Sequence, residues 1–563
     1  MPRFRARTIA ATLGVAAALV LTLRGQAPDA RPFLQIADIG LPAVEEGGAV
    51  WNESHVPWTS QARAGRAAGV ELVRAGVSGR SYATGKVIVR FRDEVAAEER
   101  RSIVRQASST GEIATRRPYA DFDIVRINPG EDAEAVAAGL NLRPQVLYAQ
   151  AAYRVHATFV PNDPQYADLQ WNLRLVNMEK AWDIQPQAGS SITVAVIDTG
   201  VAYRNATFSV NLRSFTHAGI RYPALGVQTI PYAAAPQLVG GSGSGRVVAP
   251  YDVISSGGNS PFDFDGHGTH VSGTIGQLTN DGIAVAGIAF NVKLMPVKVL
   301  GSFWDVIFGT APSDGGSDDD VATGIRYAAD NGAKIINMSL GSTGPPDCAT
   351  NSNKFGCSPV VESAMKYAVG KGAFIVVAGG NEFEDNDPQF GANPTSVLAE
   401  IASRINGAMS VAAVDPSKNR AYYSSTGKYI EIAAPGGTSR GFGRNGFVFQ
   451  QTFDFNFTDT FDPTVVPPSQ YRAPRFDLLG TIGVTGTSMA APHVAGIAAM
   501  LMQQGITDPA AIEEALEKSA VPLSLTGGDS CPPGTSAVAP RTCSFGFGLV
   551  DARNALRGLG LAR

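Results

Sequence analysis

At 563 residues the chain is too long for one ordinary domain. Lys and Arg number 46 against 50 Asp and Glu, so there is no electrostatic footprint for nucleic-acid binding. Four cysteines in a chain that starts like an exported one suit two disulfides; of the three connectivities, Cys348 with Cys357 and Cys531 with Cys543 is the simplest.

Arg3, Arg5 and Arg7 precede an uncharged apolar run from Ile9 to Leu23. Those are the basic and apolar regions of a signal peptide, and the run is short for a membrane span of about 20 residues. Residues 1–27 are read as this signal. Pro28 makes a poor cleavage site, so an uncleaved anchor stays open. Residues 28–80, rich in Pro, Gly, Ala and Arg, read as a leader of little fixed structure. Residues 81–157 form a small charged α+β unit: a strand over Lys86–Phe91, a helix over Glu94–Ala107, a strand over Phe122–Ile127, a helix over Ala133–Leu140 and a strand over Val146–Tyr153. The next boundary falls between Ala151 and Tyr166, and residues 158–563 form the main domain.

There, the β-branched run Ile192–Ile197 ends at Asp198-Thr199-Gly200, the pattern of a buried parallel strand with a carboxylate at its carboxyl edge. Residues 203–260, much of them glycine-rich loop, lead to Asp265-Gly266-His267-Gly268-Thr269-His270, which holds two of the six histidines. His267 and His270 lack the intervening Glu of the zinc-protease pattern. Strands over Lys293–Leu300, Ile335–Ser339, Phe374–Ala378 and Met409–Val414 alternate with helical segments. One of these is Val321–Asn331, preceded by Asp318-Asp319-Asp320, which suits a positive helix N-terminus. The alternation implies an α/β fold with a parallel sheet covered on both faces. A second insertion, residues 442–479, is rich in Phe, Asp and Pro and leads into Gly486-Thr487-Ser488-Met489-Ala490. That serine lies at the start of a helix, with Pro492 near the first turn. A serine hydroxyl is a poor nucleophile without a base, and the base needs an anion to orient it. Asp198, His267 and Ser488 supply all three, in the chain order Asp, His, Ser.

Four segments together (the Asp198 strand, His267-Gly268-Thr269-His270-Val271, Gly379-Gly380-Asn381, and Gly486 through Gly496) resemble the subtilisin-like serine proteases, or subtilases, from about Pro161 onward. The resemblance implies a three-layer subtilisin-like fold preceded by a ferredoxin-like propeptide domain that inhibits and assists folding; a permanent regulatory domain is the alternative. It makes Asp198 the orienting acid, His267 the general base, Ser488 the nucleophile and Asn381 the oxyanion donor beside the Ser488 amide, with His270 packed behind the base. The spelling Ala378-Gly379-Gly380-Asn381 departs mildly from the family's Ala-Ala-Gly-Asn. Ser339-Leu340-Gly341 would form one wall of the cleft and the segment at Gly315-Gly316-Ser317 the other. Glu382 would colour the pocket or be a solvated loop carboxylate. Catalysis needs no cofactor; a structural calcium is expected at Leu278–Ile283 with Asn280 as a ligand, although the spacing differs by about a residue. The implied protein is a secreted, monomeric, self-processing endopeptidase acting on proteins and peptides, with its own propeptide as inhibitor. A non-catalytic binding protein on a decayed scaffold would lack a member of the triad, and none is missing. An esterase or peptide ligase would keep the same triad.

Overall fold

The computed structural model describes residues 82–153, 159–240, 245–255, 260–345, 348, 356–524 and 541–557. The signal, the leader and Cys531 lie outside them. The described residues divide at Val160/Pro161 into two compact units.

In the first unit, Val87, Val89 and Phe91 point alternately inward along β1 (Tyr82–Phe91), which gives that strand one apolar face. Helix α1 (Ala97–Ala107), β2 (Glu112–Ile113), β3 (Asp123–Arg126), α2 (Ala133–Asn141) and β4 (Val146–Tyr153) complete it. The sheet is antiparallel in the order β2-β3-β1-β4, the ferredoxin-like arrangement. Val104 and Leu140 of the helices close its core. Asp132 caps α2, accepting from the amides of Glu134 and Ala135. The two-residue β2 has no apolar alternation and escapes a sequence reading.

The second unit is built on seven parallel strands: β5 (Thr193–Asp198), β8 (Tyr251–Asp252), β9 (Lys293–Lys298), β10 (Ile335–Met338), β11 (Phe374–Ala378), β12 (Ala408–Val414) and β13 (Ile432–Pro435), in the order β8-β9-β5-β10-β11-β12-β13. Strands β10, β11, β12 and β13 are buried at every residue, as expected when helices cover both faces. Helix α3 (His267–Gly276) and the long α6 (Thr487–Gln503) run through the interior. Helix α5 (Asp318–Asp330) begins three residues earlier than its sequence suggests. Ser317 and Asp320 form a reciprocal capping box that draws the acidic run into the first turn.

The first insertion is not mainly loop. Residues 206–232 form an antiparallel ribbon, β6 (Ala206–Leu212) with β7 (Gly226–Tyr232). The second insertion supplies another, β14 (Val448–Phe453) with β15 (Leu479–Val484). Phe208 and Tyr232 pack against Phe262 and Phe264, and Tyr232 against Phe453 and Phe476, mostly edge to face with centroids 4.9–6.0 Å apart. Edge-to-face contacts suit the ring quadrupole, so the two insertions share a small aromatic core of their own.

Candidate active site

Asp198 ends β5 and is wholly buried. Its Oδ1 accepts from His267 Nδ1 at 2.7 Å and from the Thr199 amide at 2.8 Å. Helix α3 can come this close because residue 268 is glycine: a Cβ there would collide with the Gly200 carbonyl. The loop before α3 is fixed by Asp263, which accepts from the amides of Asp265, Gly266 and Thr269 and from the hydroxyls of Thr199 and Thr269. Sequence reading missed this carboxylate, which lies four residues before the helix start and outside the N-cap position held by Gly266.

His267 is 2% exposed. Burial alone would push its imidazole down, but Asp198 first, then Asp265 and Asp263, outweigh it and hold His267 above its ordinary value. Burial, followed by the charge of Asp263, pushes Asp265 up to about 7. His270 is buried one turn along, its Nε2 donating to the carbonyls of Val448 and Ile482 in the second ribbon. Burial pushes it down to about 3. Nε2 of His267 has no hydrogen-bond partner among the described residues.

Ser488 is the second residue of α6, after Gly486 at φ 155°. Its Oγ donates to the Ser339 carbonyl at 3.3 Å. Pro492 lies in the second turn, not the first, and so removes the N–H that would have bonded the Ser488 carbonyl. That carbonyl instead accepts from Ser339 Oγ at 2.8 Å, and Ser339 Oγ accepts from Asn337 Nδ2. Ser339 thus grips the nucleophile's backbone and parks its hydroxyl. Leu340 beside it is fully buried, and Gly341 faces Ser396.

Asn381 Oδ1 accepts from the Thr487 amide and hydroxyl, both at 2.9 Å, which fixes the orientation of the side-chain amide. Its Nδ2 is buried without a partner among the described residues. Glu382 is half-buried, and its carboxylate accepts from the Asn381 amide and Ser425 Oγ. Burial pushes its carboxyl up. Gly315 pairs with Gly301 beyond β9.

Cys348 and Cys357 form a disulfide with Cα atoms 5.5 Å apart; Cys543 is buried. At the expected calcium loop, Asn280 Oδ1 accepts from the Asn162 amide, and Asp163 accepts from the amides of Asn280 and Asp281. The structure thus adds two carboxylates, Asp163 and Asp281, that the loop sequence did not suggest as ligands. Burial, against the pull of two backbone amides, pushes Asp163 up. Oε1 of Gln165, two residues from Asp163, is buried without a partner among the described residues.

A model of the subtilase family matches residues 189–549, and a model of the fervidolysin N-terminal prodomain matches residues 70–151. The chain belongs to the subtilase family. It is a serine peptidase with a prodomain, on a subtilisin-like fold. A thermophilic serine proteinase of Bacillus sp. (strain AK1) is 30% identical over 453 residues, 79% of this chain and 84% of that protein. Thermitase of Thermoactinomyces vulgaris is 28% identical over 369 residues, 66% and 94% respectively. Among solved structures, fervidolysin from Fervidobacterium pennivorans, a keratinolytic enzyme related to subtilisin, covers 86% of this chain and 62% of its own at 22% identity and TM-score 0.43. No helix of this subtilase, among the described residues, is long and apolar enough to cross a membrane.

Proposed function

We propose that this subtilase is a secreted endopeptidase, made as a self-processing zymogen, that hydrolyses peptide bonds through an acyl-enzyme. The observation that carries the reading is a matched pair of unsatisfied atoms: His267 Nε2 free opposite its Asp198 bond, and Asn381 Nδ2 free opposite its Thr487 bonds. Each is oriented by its far side and left open on the near side, as a proton acceptor and an oxyanion donor must be. Ser488 Oγ turns from the Ser339 carbonyl towards His267, gives up its proton to Nε2 and attacks the scissile carbonyl. Asp198 keeps Nδ1 protonated and stabilises the imidazolium. The oxyanion is held by Asn381 Nδ2 and the Ser488 amide, at a helix N-terminus that favours negative charge. His267 then gives its proton to the leaving amine, and water repeats the sequence in reverse on the ester. Ser339, Leu340 and Gly341 supply the edge along which an extended substrate pairs its backbone.

Residues 81–157 act as the inhibitory propeptide, removed near the 151–166 boundary. The chain from Gln26 onward, expressed as wild type and Ser488→Ala, tests this. Wild type is expected to shed its N-terminal unit and digest casein, with intact Ser488→Ala about a millionfold slower or silent. A folded, processed wild type without activity overturns the reading.

A structural calcium at residues 278–283, with Asp163, Asp281, Asn280 and Gln165 as oxygen donors of the kind that ion takes, belongs to the same proposal. Its role is stability. Chelation is expected to lower the melting temperature of the Ser488→Ala protein, calcium to restore it, and Asp163→Asn to abolish both responses.

A further inference from the structure

A buried cation adjoins the Asp198–His267 pair. Lys298 ends β9 directly in register with Asp198 on β5. Its side chain is 2% exposed and that of its partner, Asp305, wholly buried. Nζ donates to the Thr199 carbonyl at 2.5 Å and to Asp305 Oδ2 at 2.9 Å. Asp305 lies in the first turn of α4 (Phe303–Phe308) and is itself held by the Ser302 amide and the Thr310 hydroxyl. Ser302 Oγ is 2.8 Å from Asp305 Oδ2 and 3.1 Å from the Phe264 carbonyl. One chain of contacts therefore runs from the peptide after Asp198, through Lys298 and Asp305, to the loop that presents His267.

The surroundings are crowded with acid. His267 faces Asp198 from β5 and Asp263 and Asp265 from its own loop, with His270 on α3. Lys298 faces Asp305 from α4, Asp263 from the loop and Asp252 from β8. Asp459 of the second insertion faces Asp265. Burial alone would push Lys298 down, but Asp305 and Asp263 outweigh it and keep it charged. The chemistry described above uses neither Lys298 nor Asp305.

We propose that Lys298, anchored by Asp305, is a positioning residue of this peptidase: it holds the Thr199 peptide, and with it the Asp198 carboxylate, against His267, while its charge offsets the buried carboxylates around the imidazole. It touches no substrate. Loss of the tether alone lowers kcat, since small misplacement of a reacting group is costly. Loss of the positive charge leaves the imidazolium better stabilised, so a more alkaline solution is needed to free the base. Loss of the Asp305 charge acts in the opposite direction.

The inference rests on the serine-protease reading, so wild type is first labelled with phenylmethylsulfonyl fluoride; failure to label overturns that reading and not the role of Lys298. Active enzyme from wild type, Lys298→Met, Asp305→Asn and the double variant is then counted by the same label, and kcat/KM is followed against pH. In Lys298→Met the acid limb is expected to move up by at least about half a pH unit. Its kcat should fall about tenfold or more while KM stays within about twofold. In Asp305→Asn the limb moves down. In the double variant the limb returns to the wild-type position while kcat stays low. Limbs that stay fixed in both single variants, or move the same way, overturn the proposal. If Lys298→Met does not fold, Asp305→Asn decides: a downward limb supports the role, an unmoved one overturns it.

Discussion

The proposed nucleophile and the proposed base are held by different forces. Around Ser488 the direct supports are neutral: Asn381 on Thr487, Ser339 on the Ser488 carbonyl, and a helix buried from Thr487 to Met502, with the Glu382 carboxylate meeting the backbone amide of Asn381 and Ser425 Oγ. Around His267 they are ionic: Asp198, Asp263 and Asp265, with Lys298 and Asp305 beneath. The reason lies in what each half must do. The Ser488 half meets negative charge only during the reaction, so fixed dipoles serve it and carboxylates would oppose it. The His267 half becomes positively charged in the same step, so carboxylates already in place stabilise it there.

Breaking the neutral half at its most exposed duty gives the largest expected effect. Asn381→Ala removes the open Nδ2 and is expected to lower kcat about a hundred- to a thousandfold with KM nearly unchanged. The same substitution strips the oxygen that fixes Thr487, so Asn381→Asp is the sharper probe: it keeps an acceptor for Thr487 and loses the donor. Comparable kcat losses in both variants would assign the effect to the oxyanion. A much smaller loss in Asn381→Asp would assign it to the cap.

The ionic half is tested at Asp263, where one carboxylate satisfies five donors. Asp263→Ala leaves buried amides of the His267 loop without an acceptor and is expected to cost about 3 kcal/mol of stability. Denaturant unfolding of the Ser488→Ala protein, which cannot digest itself, measures this. A cost below about 1 kcal/mol would mean that the loop is held mainly by the aromatic packing behind it.

What could be read from the sequence follows the same division. Asp198, His267 and Ser488 can be proposed from local pattern, each at the end of an apolar strand or the start of a helix, whereas Asn381 follows from the family resemblance. Five of the seven parallel strands were legible for the same reason, to within about two residues at their ends, whereas the short β8 and β13 were not read. The supports of the ionic half were not. Lys298 meets Thr199 only because β9 lies beside β5, and no local period encodes strand order. The aromatic core of the first insertion was hidden as well, since Tyr232 finds partners in Phe453 and Phe476, more than two hundred residues away. The Ser425 partner of Glu382 was hidden because it is distant in sequence.

Each half also contains one buried neutral histidine, and this allows the comparison to be made by acid alone. His493 on α6 donates from Nδ1 to the Met489 carbonyl, so its Nε2 can accept from Asn172, and burial pushes it down to about 4. His270 on α3 is pushed down to about 3 by burial. A histidine that is neutral in the folded state and takes up a proton more readily when unfolded makes the unfolded chain bind more protons below its ordinary value. Stability is therefore fully present above about pH 6.5 and is lost as pH falls towards the folded value. At pH 5 each site is expected to have cost about 2 kcal/mol relative to pH 8. His493→Gln keeps a donor for Met489 and an acceptor for Asn172 while removing the titration. In the Ser488→Ala background it should recover about half of the loss between pH 8 and pH 5 that the two histidines cause. If His493→Gln leaves the acid slope of unfolding unchanged, the ionic half yields first as the pH falls, before the interior around α6 is breached.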